Sequence, residues 1–104
     1  MLKVIIVEPN EMPYVREIGD GLYCMRKIVG GYIECVNLGI GLTLVCNEEG
    51  KLNGLPPNRI VGGDVIAGTF FLTKREANTG DFVDLSELEI EMLMNDFCEF
   101  VIGR

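Results

Sequence analysis

The alternation of apolar and polar positions along the chain predicts strands and helices in a mixed order. A run of β-branched residues near the start is apolar almost throughout, which is typical of a central strand buried on both faces. The order strand, strand, helix, strand, strand, loop, strand, helix predicts an α+β fold, a largely antiparallel five-stranded sheet with two helices packed on one face. The predicted strands are residues 2–8, 14–18, 32–38, 42–46 and 64–74, and the predicted helices are residues 21–29 and 87 to about 101.

The ends of both helices carry recognisable signals. Asp20 is a candidate N-cap for the first helix, and Gly30-Gly31 provides a left-handed stop after it. Ser86, followed three residues later by Glu89, predicts a capping box for the second helix. Spacing of three and four residues then predicts the side chains that the second helix buries, which are Ile90, Leu93, Met94 and Phe97.

Glycines predict a turn or an irregularity at two places in the strands. Gly39-Ile40 suits a type II′ turn that would join residues 32–38 and 42–46 in a hairpin. That register places Cys35 and Cys46 on the core face, whereas a shift by one turn position would set them opposite each other and leave an oxidised pair open. Gly68, in the middle of the last predicted strand, indicates either a bulge or bend, or a close approach to the backbone.

Length and charge bound the class of protein. The chain has 104 residues, of which 48% are hydrophobic, and we expect a single domain over residues 1–104 with a core that needs no disulfide or metal. Its net charge of −7 argues against direct binding to nucleic acid, which requires a basic face. The same charge either keeps the protein soluble or forms a carboxylate surface that mimics a nucleic-acid backbone.

The cysteine and histidine content limits the chemistry. The four cysteines form no C-x-x-C pair and histidine is absent, so we expect free thiols in a reducing compartment, no metal and no cofactor. A Cys-His or Ser-His nucleophile is excluded, and nothing else resembles a catalytic set, so we expect no enzyme. No apolar run approaches the ~20 residues of a membrane span and no signal peptide is evident, which predicts a cytoplasmic protein without membrane contact.

A polar loop between two apolar runs is the best candidate for a binding site. Arg59 offers a planar fork of donors that matches phosphate or carboxylate, and Asn47 and Asn58 can read a base or a sugar edge. The alternative is structural, with Arg59 paired to Glu48, Glu49 or Asp64. We predict a ligand site made of Asn47, Glu48, Lys51, Asn58, Arg59, Gly62 and Gly63.

Five segments of the chain carry a family resemblance, and they are residues 3–9, 29–34, 46–51, 55–59 and 64–71. They resemble a family of small proteins of unknown function carried by phages and mobile elements of gut Firmicutes. The resemblance implies no catalytic residues, but it implies a mobile-element setting in which small proteins often blunt host defences. Relatives often carry a longer acidic insert where this chain has only residues 60–63.

Two functional hypotheses follow. The first is a non-enzymatic phage protein that binds a small anionic ligand and sequesters a nucleotide immune signal in the host cytoplasm. Its pocket would lie within one subunit or across a homo-oligomer interface. The second is an acidic inhibitor or DNA mimic that binds a host defence or regulatory protein and has no pocket.

Overall fold

The computed structural model describes residues 1–99 of the chain. Within them it has an α+β fold in which every strand pair is antiparallel, as predicted. Five strands form a path in the order β2-β1-β7-β4-β3, β8 adds a sixth strand beside β7, and β5 and β6 form a separate hairpin. The elements are β1 (Leu2–Val7), β2 (Tyr14–Ile18), α1 (Leu22–Val29), β3 (Ile33–Gly39), β4 (Leu42–Asn47), β5 (Pro57–Val61), β6 (Asp64–Ala67), β7 (Phe70–Arg75), β8 (Phe82–Val83) and α2 (Glu87–Asp96).

The central sheet is covered on both faces, by one helix on each. Side chains of β1 alternate between two clusters: Ile5 belongs to the cluster that includes Leu93 of α2, and Ile6 to the cluster that includes Met25 of α1. The predicted packing of both helices on one face is therefore wrong. A strand that is apolar at consecutive positions has to be covered on both sides, because each face would otherwise expose apolar area to water.

The register of the β3–β4 hairpin differs from the predicted one. Gly39 pairs with Leu42, so the turn is Ile40-Gly41, and both of these residues have positive φ angles as in a type I′ turn. A bulge between Asn37 and Gly39 adds one residue to β3 and shifts every side chain before it to the other face. The shift changes the face of the sheet on which Cys35 lies.

Cys35 pairs with Val45 on the α1 face, whereas Cys46 is buried in the cluster beneath α2. The two thiols therefore lie on opposite faces of the sheet and cannot form the disulfide that the sequence left open. Within the described residues all four cysteines are free.

The predicted fifth strand is divided at Gly68. This residue has a φ of +82°, so the chain bends there, and a Cβ at its position would lie 2.6 Å from Leu55 Cδ1. Both predicted alternatives, a bend and a close approach to the backbone, are therefore present at Gly68. The first half, β6, leaves the central sheet and pairs with β5, a strand that the sequence analysis missed in residues 52–63. Gly62 and Gly63, with φ angles of 59° and 83°, close that hairpin as a type I′ turn.

The helix ends agree with the predictions except at two points. Gly30 adopts the left-handed conformation after α1, and Ser86 and Glu89 form both hydrogen bonds of the capping box. The N-cap of α1 is Gly21, without a side-chain cap, instead of Asp20. The second helix ends at Asp96, before the predicted end near residue 101, which lies outside the described residues.

The contribution of the capping box to the stability of the protein can be measured. Ser86→Ala removes the oxygen that accepts from the Glu89 N–H, and we expect it to lower the free energy of unfolding by about 1 kcal/mol. Ser86→Asn keeps an acceptor and should lose much less. Urea unfolding of the two variants measures the difference, and equal losses would show that the cap contributes nothing.

Candidate functional site

Arg59 is held inside the protein by backbone carbonyls. Its side chain lies on β5 and the residue is only 2% exposed. Nε donates to the Phe97 carbonyl at 2.8 Å, and Nη2 donates to the Glu11 carbonyl at 2.7 Å. Nη1 donates to Asn58 Oδ1 at 2.8 Å. Burial lowers the pKa of the Arg59 guanidinium, which nevertheless stays charged because this group is so basic.

The arginine therefore ties three distant segments together. They are the turn before β2, the strand β5 and the residue after α2. The sequence alternatives paired Arg59 with Glu48, Glu49 or Asp64, but the partners shown are main-chain oxygens and the neighbouring Asn58. Carbonyl partners leave no signal in the sequence, because every residue carries one.

The two asparagines of the predicted site are also engaged within the fold. Asn58 is fully buried, and its Nδ2 donates to the carbonyls of Val7 and Gly68 at 2.9 and 2.8 Å. Asn47 Nδ2 donates to the Val29 carbonyl at 3.1 Å, and its Oδ1 accepts from the Glu49 N–H at 2.8 Å. The Asn58 amide therefore joins β5 to β1, and the Asn47 amide joins the end of β4 to the end of α1.

The remaining predicted residues lie at two separate places. Asn47, Glu48 and Lys51 line a shallow recess of about 180 Å³. Lys51 Nζ forms an ion pair with Asp64 at 2.5 Å, which lowers the pKa of that carboxyl group. Gly62 lines a different cavity, beside α2, and Gly63 lies next to it in the β5–β6 turn. Three further carboxylates line the recess, those of Glu34, Glu48 and Glu49.

The predicted ligand site is consequently not assembled as one pocket. The recess carries four carboxylates against one lysine that is already paired, so its potential is unfavourable to an anion. Arg59 is separated from it and directs its donors into the protein. Arg59, Asn47 and Asn58 hold the loop of residues 47–63 in place by hydrogen bonds within the protein. A more apolar cavity of the protein lies at another place.

A groove beside α2, which we call the α2 groove, brings together exposed apolar side chains from three elements. It has a volume of about 690 Å³ and lies between the β3–β4 turn, β5 and α2. Ile40 and Ile60 form its walls and are 83% and 64% exposed, and Met92 of α2 is 43% exposed. Its floor is formed by Leu38, Leu42, Arg59, Val61, Leu93 and Phe97.

The α2 groove continues along the helix and has an acidic rim. Ile40 and Met92 also line an adjoining depression with the exposed side chains of Met12 and Leu88. The carboxylates at the edges of the two depressions belong to Glu89, Glu91, Asp96 and Glu99. Of these, Glu89 is paired with Lys74 at 2.8 Å, and the other three are not in a salt bridge within the described residues.

The residues that make this groove are not among the candidate site residues predicted from the sequence. Ile40 belongs to a predicted turn, Ile60 lies in the predicted polar loop, and Met92 is outside the predicted buried face of the second helix. The available signal was the position of Ile40 between two glycines, because a large apolar residue at the tip of a hairpin cannot be buried by its own hairpin.

Two observations on the described residues bear on nucleophilic and metal chemistry. Burial raises the pKa of the Cys46 thiol to about 11, so this thiol is protonated at neutral pH and a poor nucleophile. No group of three or more histidine, cysteine or acidic residues in residues 1–99 is arranged to hold a metal ion. No helix in this range is long and apolar enough to span a bilayer.

Comparison with known proteins places the chain in a family. No curated protein and no solved structure matches it. A family model described as a domain of unknown function, DUF3846, matches residues 2–98, which include every strand and both helices of the fold. The chain belongs to the DUF3846 family.

Proposed function

We propose that this protein is a non-enzymatic binding protein that captures a basic, amphipathic segment of a partner protein in the α2 groove. The observation that carries the proposal is the convergence of exposed apolar side chains from three elements under an acidic rim. Ile40, Ile60 and Met92 come from the β3–β4 turn, β5 and α2. Contiguous apolar surface of this kind is typical of an interaction site.

The composition of the groove specifies the chemistry of its partner. Isoleucine and methionine provide apolar area, and methionine adapts its shape to different side chains. Glu91, Asp96 and Glu99 add negative charge around that area, so a segment with apolar residues flanked by lysine or arginine complements both features. Arg59 in the floor does not reverse this charge, because it contributes one positive charge against three carboxylates that are not in a salt bridge within the described residues.

The geometry supports the protein-binding hypothesis more strongly than an anion site in the loop of residues 47–63. An anion would meet four carboxylates in the recess, whereas the α2 groove is both larger and more apolar. A pure DNA mimic would need carboxylates spread over a polar face, without an apolar floor. If the mobile-element setting implied by the resemblance holds, the partner would be a host defence protein in the host cytoplasm.

A peptide titration tests the proposal. The probe is a short fluorescein-labelled helix of leucine and lysine, and binding is followed by fluorescence polarisation. We expect saturable binding that weakens with salt, and no binding of the matched leucine–glutamate or serine–lysine peptides. Met92→Glu places a charge in the groove and should weaken binding by roughly ten-fold or more.

Matched variants separate the groove from general acidity. Leu52→Glu makes the same change on an exposed side chain at the recess and should leave affinity unaltered. Asp96→Lys with Glu99→Lys should reduce the salt dependence, whereas Glu48→Lys with Glu49→Lys should have a smaller effect. Equal effects of both charge reversals, or of both glutamate substitutions, would contradict the proposal. A chain ending at Glu99 should bind equally well, and lost binding would assign the site to residues 100–104.

A further inference from the structure

The cations of this acidic protein are unevenly distributed over its surface. Lys51 and Lys74 pair with carboxylates, Arg59 is buried, and Arg75 stacks on Phe82 at 4.7 Å. Three exposed basic residues, Arg16, Arg26 and Lys27, lie on or beside α1, on the face of the sheet opposite to the α2 groove. Two of them, Arg16 and Lys27, line the same cleft.

A cleft lies between α1 and the edge strand β2, and we call it the α1 cleft. Its volume is about 550 Å³, within the range of ~300–1,000 Å³ usual for small-molecule sites. Arg16 pairs with Val4 and Tyr14 with Ile6, so both side chains project from the sheet on the face that α1 covers. Lys27 and Cys24 line the cleft from the helix, and Thr69 also lines it.

We propose that the α1 cleft binds a phosphorylated small molecule of the nucleotide class. Arg16 presents a planar fork to a phosphate group, and Lys27 adds a second positive charge from across the cleft. Both cations are exposed, and neither is in a salt bridge within the described residues, so a bound phosphate would neutralise their charge. Lys27 Nζ lies over the Tyr23 ring, 5.6 Å from its centroid. Thr69, which also lines the cleft, carries a hydroxyl that can donate to a ligand.

The other groups in the cleft favour a nucleotide over a bare anion. The Tyr14 ring is partly exposed and provides a flat surface on which a base can stack. Its hydroxyl donates to Glu8 at 2.8 Å, which holds a carboxylate beside the ring as an acceptor for ribose hydroxyls or an exocyclic amine. Glu17 also borders the cleft but alternates with Arg16 along β2, so its side chain is directed to the other face.

This inference is independent of the function proposed for the α2 groove. The two sites lie on opposite faces of the central sheet and share none of the residues that line them. It retains the ligand class that the sequence suggested but transfers it from the loop around Arg59 to β2 and α1. Either site can therefore fail its test while the other stands.

Isothermal titration with defined ligands tests the proposal. AMP, a cyclic mononucleotide, inorganic phosphate and adenosine are each titrated into the full chain at low salt. We expect saturable binding of at least one of the nucleotides and at least ten-fold weaker binding of phosphate and adenosine. No saturable binding of either nucleotide, or equal affinity for phosphate and AMP, would overturn the nucleotide assignment.

Arg26→Ala provides a matched control. Arg26 is adjacent to Lys27 on α1 but stacks on Tyr32 at 4.7 Å and does not line the cleft. We expect Arg16→Ala to weaken nucleotide binding by roughly ten- to a hundred-fold, Arg16→Lys to restore part of it, and Arg26→Ala to change it little. Equal losses in Arg16→Ala and Arg26→Ala would show non-specific attraction to the basic face and overturn the site. Met92→Glu, in the α2 groove, should leave nucleotide binding unchanged.

Discussion

Replacing Arg59 by alanine is expected to lower the free energy of unfolding by about 3–5 kcal/mol, measured by urea denaturation. The guanidinium is almost completely buried and satisfies the carbonyls of Glu11 and Phe97 together with Asn58 Oδ1. Removal of its donors leaves these acceptors without their protein partner, and the cost is largest at the buried Asn58 Oδ1, where an unsatisfied group costs about 1–3 kcal/mol. The carbonyls of Glu11 and Phe97 are part-buried and lose the bonds that hold their segments to β5. A surface ion pair, which the sequence allowed as an alternative, would contribute less than ~1 kcal/mol.

Two further variants identify the origin of the loss. Arg59→Lys keeps the charge but cannot reach three acceptors in different directions, so it should remain strongly destabilised. Arg75→Ala removes an exposed cation that stacks on Phe82 and should cost under ~1 kcal/mol. A loss below ~1 kcal/mol in Arg59→Ala would show that the guanidinium does not hold these segments together.

Replacing Phe70 by alanine should also cost about 3–5 kcal/mol, because it removes a large, fully buried side chain from the cluster beneath α2. Its ring meets that of Phe97 edge to face, with centroids 5.9 Å apart and planes at 67°. Edge-to-face pairs contribute about 0.5–1.5 kcal/mol beyond their buried area. A double-mutant cycle with Phe97→Ala should therefore show a coupling energy of that size.

Phe82→Ala is the matched aromatic control. Phe82 is only half-buried against the opposite cluster, so its truncation should cost less than that of Phe70 and should show no coupling to Phe97. Equal losses at Phe70 and Phe82 would contradict the assignment of Phe70 to the core. The absence of coupling between Phe70 and Phe97 would contradict the contact that seats the end of α2.

Arg59 and Phe97 connect the stability of the protein with its proposed function. Both residues form part of the floor of the α2 groove, and both hold the region after α2 against β5 and the central sheet. Variants at these positions are consequently unsuitable for testing partner binding, because they change the framework as well as the surface. Met92 and Leu52 are better probes, since both side chains are exposed.

Local signals in the chain predicted local structure well. Ser86 and Glu89 were sufficient to place the start of α2, and Gly30 the end of α1, because each signal acts on a backbone within four residues of itself. The apolar run of β1 correctly predicted a central strand buried on both faces. This apolar run also argues against packing both helices on one face of the sheet. In that arrangement the apolar side chains of β1 on the other face would be exposed to water.

The register and division of strands depended on single residues whose effect is set by distant contacts. Leu38 is accommodated as a bulge, and this extra residue moved Cys35 to the face opposite Cys46. Gly68 was recognised as a bend, but the pairing of β6 with β5 required partners that no local pattern supplies. Strand pairing joins residues far apart in the sequence, and periodicity does not specify which strands meet.

The candidate sites show most clearly which features follow from local sequence and which depend on distant contacts. The sequence by itself determined an acidic, cysteine-containing α+β domain without histidine, and it singled out Arg59 as a charge that required partners. Only the tertiary structure decided that those partners are the carbonyls of Glu11 and Phe97, 48 and 38 residues away in the chain. It also decided which apolar residues remain exposed, because exposure depends on what packs above a side chain, and hydrophobicity alone does not reveal this.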